Sequence, residues 1–180
     1  MRKVLFLFGQ LNDDDIEWML TAGTKRFVPA GGVLIEQGVP VDAVFILLEG
    51  KLAVWLRSRH GPEREIARLN AGEIVGEMSF VDARPPSATV KALEESTVFS
   101  LSKAVLNRKL AADSGFAARF YRALAIYLST TVRERHRDLG PGGEGDEEGE
   151  DADELDPNVL DGVYLAGERF DRMVKRMLVT

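Results

Sequence analysis

No cysteine occurs among the 180 residues, which excludes disulfide stapling, cysteine-zinc sites, iron–sulfur ligation and thiol chemistry. Histidine is almost as scarce. His60 falls in a predicted hairpin turn and His136 in a charged helix end, and neither has a second histidine or a convergent acid at ligand spacing, so no metal or catalytic role is expected. No stretch approaches the roughly 18 apolar residues of a membrane span. The opening run Val4-Leu5-Phe6-Leu7-Phe8 is too short for a signal sequence and is followed at once by Asp13-Asp14-Asp15, so a cytoplasmic address without membrane partners is expected. Also missing are a glycine-rich nucleoside-triphosphatase or dinucleotide loop and a spare three-helix segment for a helix-turn-helix. Serine, histidine and aspartate are nowhere arranged as an activated nucleophile. The chain is expected to be neither an enzyme nor a reader of nucleic acid.

What is present is the composition of a globular protein, 45% hydrophobic and 29% charged, long enough for one good core. The net charge of -6 is unevenly placed. Nine acids and no basic residue lie between Pro141 and Asp156, so the rest of the chain is mildly basic and the acidity belongs to a linker. Arg57, Arg59, Arg64 and Arg68 read as a solvated hairpin face. Arg133, Arg135, His136 and Arg137 lack the interleaved aromatics that base stacking needs. Trp18 and Trp55 read as packing residues.

Along the chain, Ile16, Met19 and Leu20 recur at helical spacing behind Asn12, a capping residue, predicting a helix over Leu11 to Ala22 with Val4 to Phe8 as its apolar lead-in. From Thr24 the texture changes. Short apolar runs at Thr24–Val28, Val33–Glu36, Ala43–Glu49, Lys51–Arg57, Arg64–Leu69, Ala88–Ala92 and Ser96–Ser100 are parted by glycine-rich corners, which predicts a barrel or sandwich. Ser102 then opens a helix through Leu110, and Ser114 a longer one to Asp138 with a stripe of Ala117, Phe120, Leu124, Leu128 and Thr131. The acid-rich segment cannot bury anything and is expected to be disordered. Val163, Ala166, Phe170, Val174 and Met177 mark a last amphipathic helix that needs a surface to dock on.

One stretch carries chemistry: Gly72-Glu73-Ile74-Val75-Gly76-Glu77-Met78-Ser79-Phe80-Val81-Asp82-Ala83-Arg84-Pro85-Pro86-Ser87-Ala88-Thr89-Val90. From about Phe6 to Leu139, including this stretch and the Gly50 corner, the chain resembles the cyclic nucleotide-binding domain family. That family includes catabolite-activator-type regulators, protein kinase regulatory subunits and cyclic nucleotide-gated channels. The resemblance implies a mainly β fold with flanking helices, a double-stranded β-helix jelly roll with a long C-terminal dimerisation helix. It divides the chain into residues 1–139 as the binding domain, 140–157 as a linker and 158–180 as the amphipathic helix.

The resemblance also implies a phosphate-binding cassette. Gly76 and Glu77 match the pair that opens its short helix, with Met78 and Ser79 following; free N–H groups there face the cyclic phosphate and the glutamate accepts from the ribose 2′-hydroxyl. Ser87 and Ala88 match the small residues around the phosphate, and Thr131 falls where such proteins place a threonine against the base. The family's phosphate-binding arginine is replaced by Pro86, which offers no donor. Arg84, two residues upstream, stands close enough in sequence to substitute. Three outcomes stay open: a cyclic nucleotide (cAMP or cGMP) bound in an altered manner, another phosphate ligand such as a cyclic dinucleotide, or a constitutive dimeric scaffold that binds none. Plainer roles stand beside these: Glu77 pairing with Arg84, Ser79 capping its helix, Thr131 bonding to its own turn. A homodimer through 114–138 and a protein partner for 158–180 are the expected associations.

Overall fold

The computed structural model describes residues 4–58, 61–138 and 157–178. The acidic stretch 140–156, with Arg59 and His60, lies outside the described residues. In chain order the described elements are α1 (Val4–Gln10), α2 (Asp13–Ala22), β1 (Thr24–Val28), β2 (Val33–Ile35), β3 (Ala43–Glu49), β4 (Leu52–Arg57), β5 (Glu63–Leu69), β6 (Ile74–Val75), α3 (Glu77–Val81), β7 (Thr89–Ala92), β8 (Ser96–Ser102), α4 (Lys103–Ala112), α5 (Ser114–Asp138) and α6 (Pro157–Leu178).

The expected mainly β jelly roll is corrected here. The strands form two separate four-stranded antiparallel sheets, ordered β1-β8-β3-β6 and β2-β7-β4-β5. No ladder joins one sheet to the other among the described residues, so no barrel closes, and the two C-terminal helices of 25 and 22 residues together outweigh all the strands. The fold is mixed α/β. Closure is unnecessary because helices cover the first sheet's outer face, and edges stay soluble by charge, as with Glu63, Arg64, Glu65 and Arg68 on edge strand β5.

Strand β3 explains the layering. Val44-Phe45-Ile46-Leu47-Leu48 is a continuous apolar run because both of its faces are covered. Phe45 and Leu47 enter a core between the sheets with Leu34, Leu52, Val90 and Val98. Ile46 and Leu48 enter a second core with Phe99, Leu106, Phe116 and Phe120 beneath the helices. The α5 stripe expected to pair two copies is largely spent here, since Phe120 and Leu124 are buried within the chain's own core. The exposed face of α5 instead carries Ala118, Tyr121, Ala125 and Val132.

Helix α2 begins in a capping box: the Asn12 side chain accepts from the Asp15 amide while the Asp15 carboxylate accepts from the Asn12 amide. The buried Asp15 carboxylate also receives two hydrogen bonds from Arg119 on α5, at 2.7 and 2.8 Å. Trp18 packs edge-on against Phe116 at 5.2 Å, so α2 and α5 are joined by both an ion pair and an aromatic contact.

Candidate functional site

The cassette is built where β6 turns into α3. Gly76, at φ +87, sits in left-handed backbone, and a Cβ there would stand 2.9 Å from the Ala43 carbonyl oxygen of β3. Only glycine makes that turn without strain. It caps α3 with backbone alone, since no side chain bonds to the first turn, which leaves the early amide groups of Glu77 and Met78 directed outward from the helix start. Glu77 is half-buried, Met78 exposed and Ser79 buried.

The following loop is pinned at its far end: the Gly38 amide donates to the Pro86 carbonyl at 2.9 Å and the Gln37 amide to the Thr89 hydroxyl at 3.1 Å. Ala83, at φ +56, is the non-glycine residue with positive φ among the described residues. Arg84 does not turn inward. Its side chain is 83% exposed and 3.9 Å from the Asp82 carboxylate, and its amide donates to the same group. Ser87 is exposed and Ala88 half-buried. Gly76, Glu77, Met78 and Ser79 are therefore gathered at one helix start, while Arg84 stands outside it.

Thr131 lies on α5 and its hydroxyl donates to the Tyr127 carbonyl one turn back, at 3.0 Å. The sequence reading places Tyr127, with Phe116 and Ala123, beside the apolar stripe of α5 and gives it no role at the site. The Tyr127 hydroxyl is buried and donates to the Ile74 carbonyl of β6 at 2.9 Å. Burial pushes its pKa far up, and the nearby charges of Glu77 and Glu73 add to this. Phe80 of α3 meets Phe120 of α5 edge-on, with ring centres 5.9 Å apart. An apolar cavity opens beneath these contacts, bounded by Leu7, Met19, Phe80, Phe99 and Leu124, with Glu77 as its charged lining residue. Tyr127→Phe is expected to cost about 1–2 kcal/mol, because the Ile74 carbonyl loses this donor in a buried setting; a urea titration reads it directly. Among the described residues no group of three or more histidines and acids is placed to hold a metal ion, and no helix is long and apolar enough to cross a membrane.

Comparison with known proteins agrees with this geometry. Residues 25–113 match the cyclic nucleotide-binding domain family. The cAMP-dependent protein kinase regulatory subunit of Blastocladiella emersonii is 28% identical over 136 residues, covering 73% of this chain and 34% of that protein. The cyclic AMP receptor protein of Thermus thermophilus is 30% identical over 95 residues, covering 53% of this chain and 44% of that protein. The crystal structure of the Thermus thermophilus catabolite activator protein superposes with a TM-score of 0.62 at 27% identity, over 74% of this chain and 61% of that one.

The two sheets, the cassette and the closing helices define the class of cyclic nucleotide-binding-like domains, and the relatives above are regulatory proteins. In particular, residues 25–113 carry a domain of the cyclic nucleotide-binding family, and the chain is similar to sensor and regulatory-subunit proteins. It spans well under two thirds of the length of these curated relatives.

Proposed function

We propose that this chain is a regulatory module that takes a cyclic mononucleotide, cAMP or cGMP, in the cassette and passes the event to its helices. The cyclic phosphate lies over the α3 amide groups and against Ser87 and Ala88, and Glu77 accepts from the ribose hydroxyl. The observation that carries this reading is the double grip of the cassette on α5, through Phe80 on Phe120 and Tyr127 on Ile74. A displaced cassette helix cannot leave α5 where it was, because aromatic contacts in a packed core have few alternative arrangements. Two copies would associate through the Ala118, Tyr121, Ala125 and Val132 face of α5.

Without an arginine at position 86 the phosphate lacks a charge-assisted partner worth about 1.5–3 kcal/mol, or about tenfold to a hundredfold in affinity. Calorimetric titration with cAMP, cGMP and a cyclic dinucleotide tests the reading. Saturable binding of a mononucleotide is expected, abolished in Glu77→Ala, little changed in Arg84→Ala, and tightened at least about tenfold in Pro86→Arg. A second reading, a constitutive adaptor whose cassette is a structural corner, is favoured by the outward Arg84. No heat with any of the three ligands, and none regained by Pro86→Arg, selects it.

A further inference from the structure

Helix α6 is seated on the chain's own N-terminal helices. Ala166, Phe170 and Met173 are buried, and Phe170 meets Phe8 of α1 with ring centres 6.3 Å apart. Arg169 enters the corner between α1 and α2. Its side chain is only 11% exposed, and it donates to the Phe8 and Leu11 carbonyls at 2.8 and 2.7 Å and to the Asp13 carboxylate at 2.9 Å. The Phe8 carbonyl lies in the last turn of α1 and that of Leu11 just past its end, where a helix leaves acceptors without partners and favours a cation. Around this anchor the match is one of charge: Arg176 and Arg172 lie 2.7 and 3.8 Å from Glu17. The hydrogen bond and charge of Arg169 hold the Asp13 carboxyl below its ordinary range.

We propose that the α1–α2 face is a docking site for a basic amphipathic helix, occupied by the chain's own α6 as a releasable latch whose release is linked to the cassette through α1. Beside the three buried side chains of α6 and Arg169, Val174 and Met177 pack partly buried against the same core, while the ion pairs to Glu17 are exposed, each worth little and screened by salt. An element seated from one side opens more readily than β3, whose residues Phe45 to Leu48 are buried on both faces. The link is a hydrogen bond: the Val4 amide, at the start of α1, donates to the carbonyl of Gly72, two residues before β6, at 2.8 Å. Leu7 of the same helix lines the cavity that Glu77 borders. A shift of the cassette therefore moves the helix that carries the seat. The docking needs no ligand; the direction of the link in the cell rests on the cassette reading above.

Hydrogen exchange on the full chain, followed by mass spectrometry over residues 164–178, reads the latch. In Arg169→Ala the exchange of α6 is expected to accelerate at least tenfold while β3 and β8 stay protected. In Glu17→Arg a smaller acceleration is expected, reversed by adding Arg172→Glu and Arg176→Glu. If α6 exchanges at an unchanged rate in Arg169→Ala, or only in step with β3 and β8, it is part of the core and the latch is wrong. If protection of α6 rises with protein concentration, the seat is filled by a second copy and the occupant named here is wrong.

Val4→Pro removes the amide that ties α1 to Gly72, at a first-turn position where proline is tolerated. At least threefold faster α6 exchange is expected, and an unchanged rate overturns the link without reference to any nucleotide. Saturating cAMP is expected to change α6 exchange by a similar factor. Absence of cAMP binding in calorimetry sinks the cassette reading alone, because the Arg169 and Val4 variants are read without ligand.

Discussion

Gly50→Ala is expected to destabilise the protein by about 3–5 kcal/mol, the sum of a forced left-handed backbone and a collision that cannot relax. Gly50 lies at φ +95 between β3 and β4. A Cβ at that position would stand 2.6 Å from the Glu95 carbonyl oxygen and 2.7 Å from the Ser96 Cα, both backbone atoms at the start of β8. Ser96 cannot yield, because its hydroxyl is buried and accepts from the Lys51 amide while donating to the Glu94 carbonyl. The turn and the strand are therefore locked together on both sides of the missing methyl group.

Gly31 supplies the comparison: it has φ +77 and nothing within 4 Å of its hypothetical Cβ. Gly31→Ala carries only the backbone term, about 1–2 kcal/mol. Urea unfolding of the two variants separates strain from collision. Equal midpoints would show that β8 moves aside and that the contact at Gly50 is not restrictive.

The second large effect belongs to Arg119. Its partner Asp15 has a side chain only 3% exposed, against 35% for Arg119 itself. Burial pushes the Asp15 carboxyl up, but the hydrogen bond from Arg119, the Asn12 amide and the Arg119 charge more than offset it, so the group ends below its ordinary value of 3.8. Removing one member of a buried pair costs about 3–5 kcal/mol because it strands the other charge. Water reaches the half-open guanidinium, so Arg119→Met is expected to cost about 2–3 kcal/mol at pH 7.

The pH dependence gives a sharper test. In the native chain the folded pKa of Asp15 is depressed, so its contribution is complete above the unfolded value and is lost as pH falls below 3.8 through the folded value. In Arg119→Met burial stands with only the capping-box amide against it, and the folded pKa moves above the unfolded one. The sign then reverses: the variant regains stability as the carboxyl protonates. The gap in urea midpoint between the two proteins is expected to narrow from pH 7 to pH 3.5. A gap that stays constant would show that Asp15 is not the group left stranded.

Individual elements were readable to different depths. Strands β1 and β3 stand where the apolar runs ended at glycines and polar residues, and α5 keeps the bounds that Ser114 and its periodicity predicted. Helix α1 was taken for an apolar lead-in because Val4, Phe6, Leu7 and Phe8 are all buried, and a helix covered all round shows no 3.6-residue contrast. β6 has two residues, too few for any period to show. The barrel was misjudged for another reason. Strand count and turn spacing are local, whereas closure depends on which edges meet.

At the site the resemblance implied a short helix opening at Gly76 and Glu77, and α3 begins there, with Gly76 as its cap. Arg84 was offered as a replacement donor from its distance along the chain. Its outward course is set by the Ala83 backbone at φ +56 and by Asp82 beside it. The role of Tyr127 depends on a contact with Ile74 across 53 positions of sequence, which no spacing rule reaches.

By itself, then, the sequence determined most of the order of strands and helices, the absence of cysteine chemistry and the amphipathic character of α6. These follow from periodicity, turn residues and side-chain chemistry, which act over a few residues. The family of the central domain came from the resemblance carried by one motif. Only the tertiary structure decided that two sheets stay separate, that the α5 stripe is spent inside the fold, that Arg84 leaves the cassette, and that Arg169 finds its acceptors at the corner between α1 and α2. Each of those outcomes pits burial against hydrogen-bond satisfaction between segments far apart in the chain, and the balance is struck only when the surfaces meet.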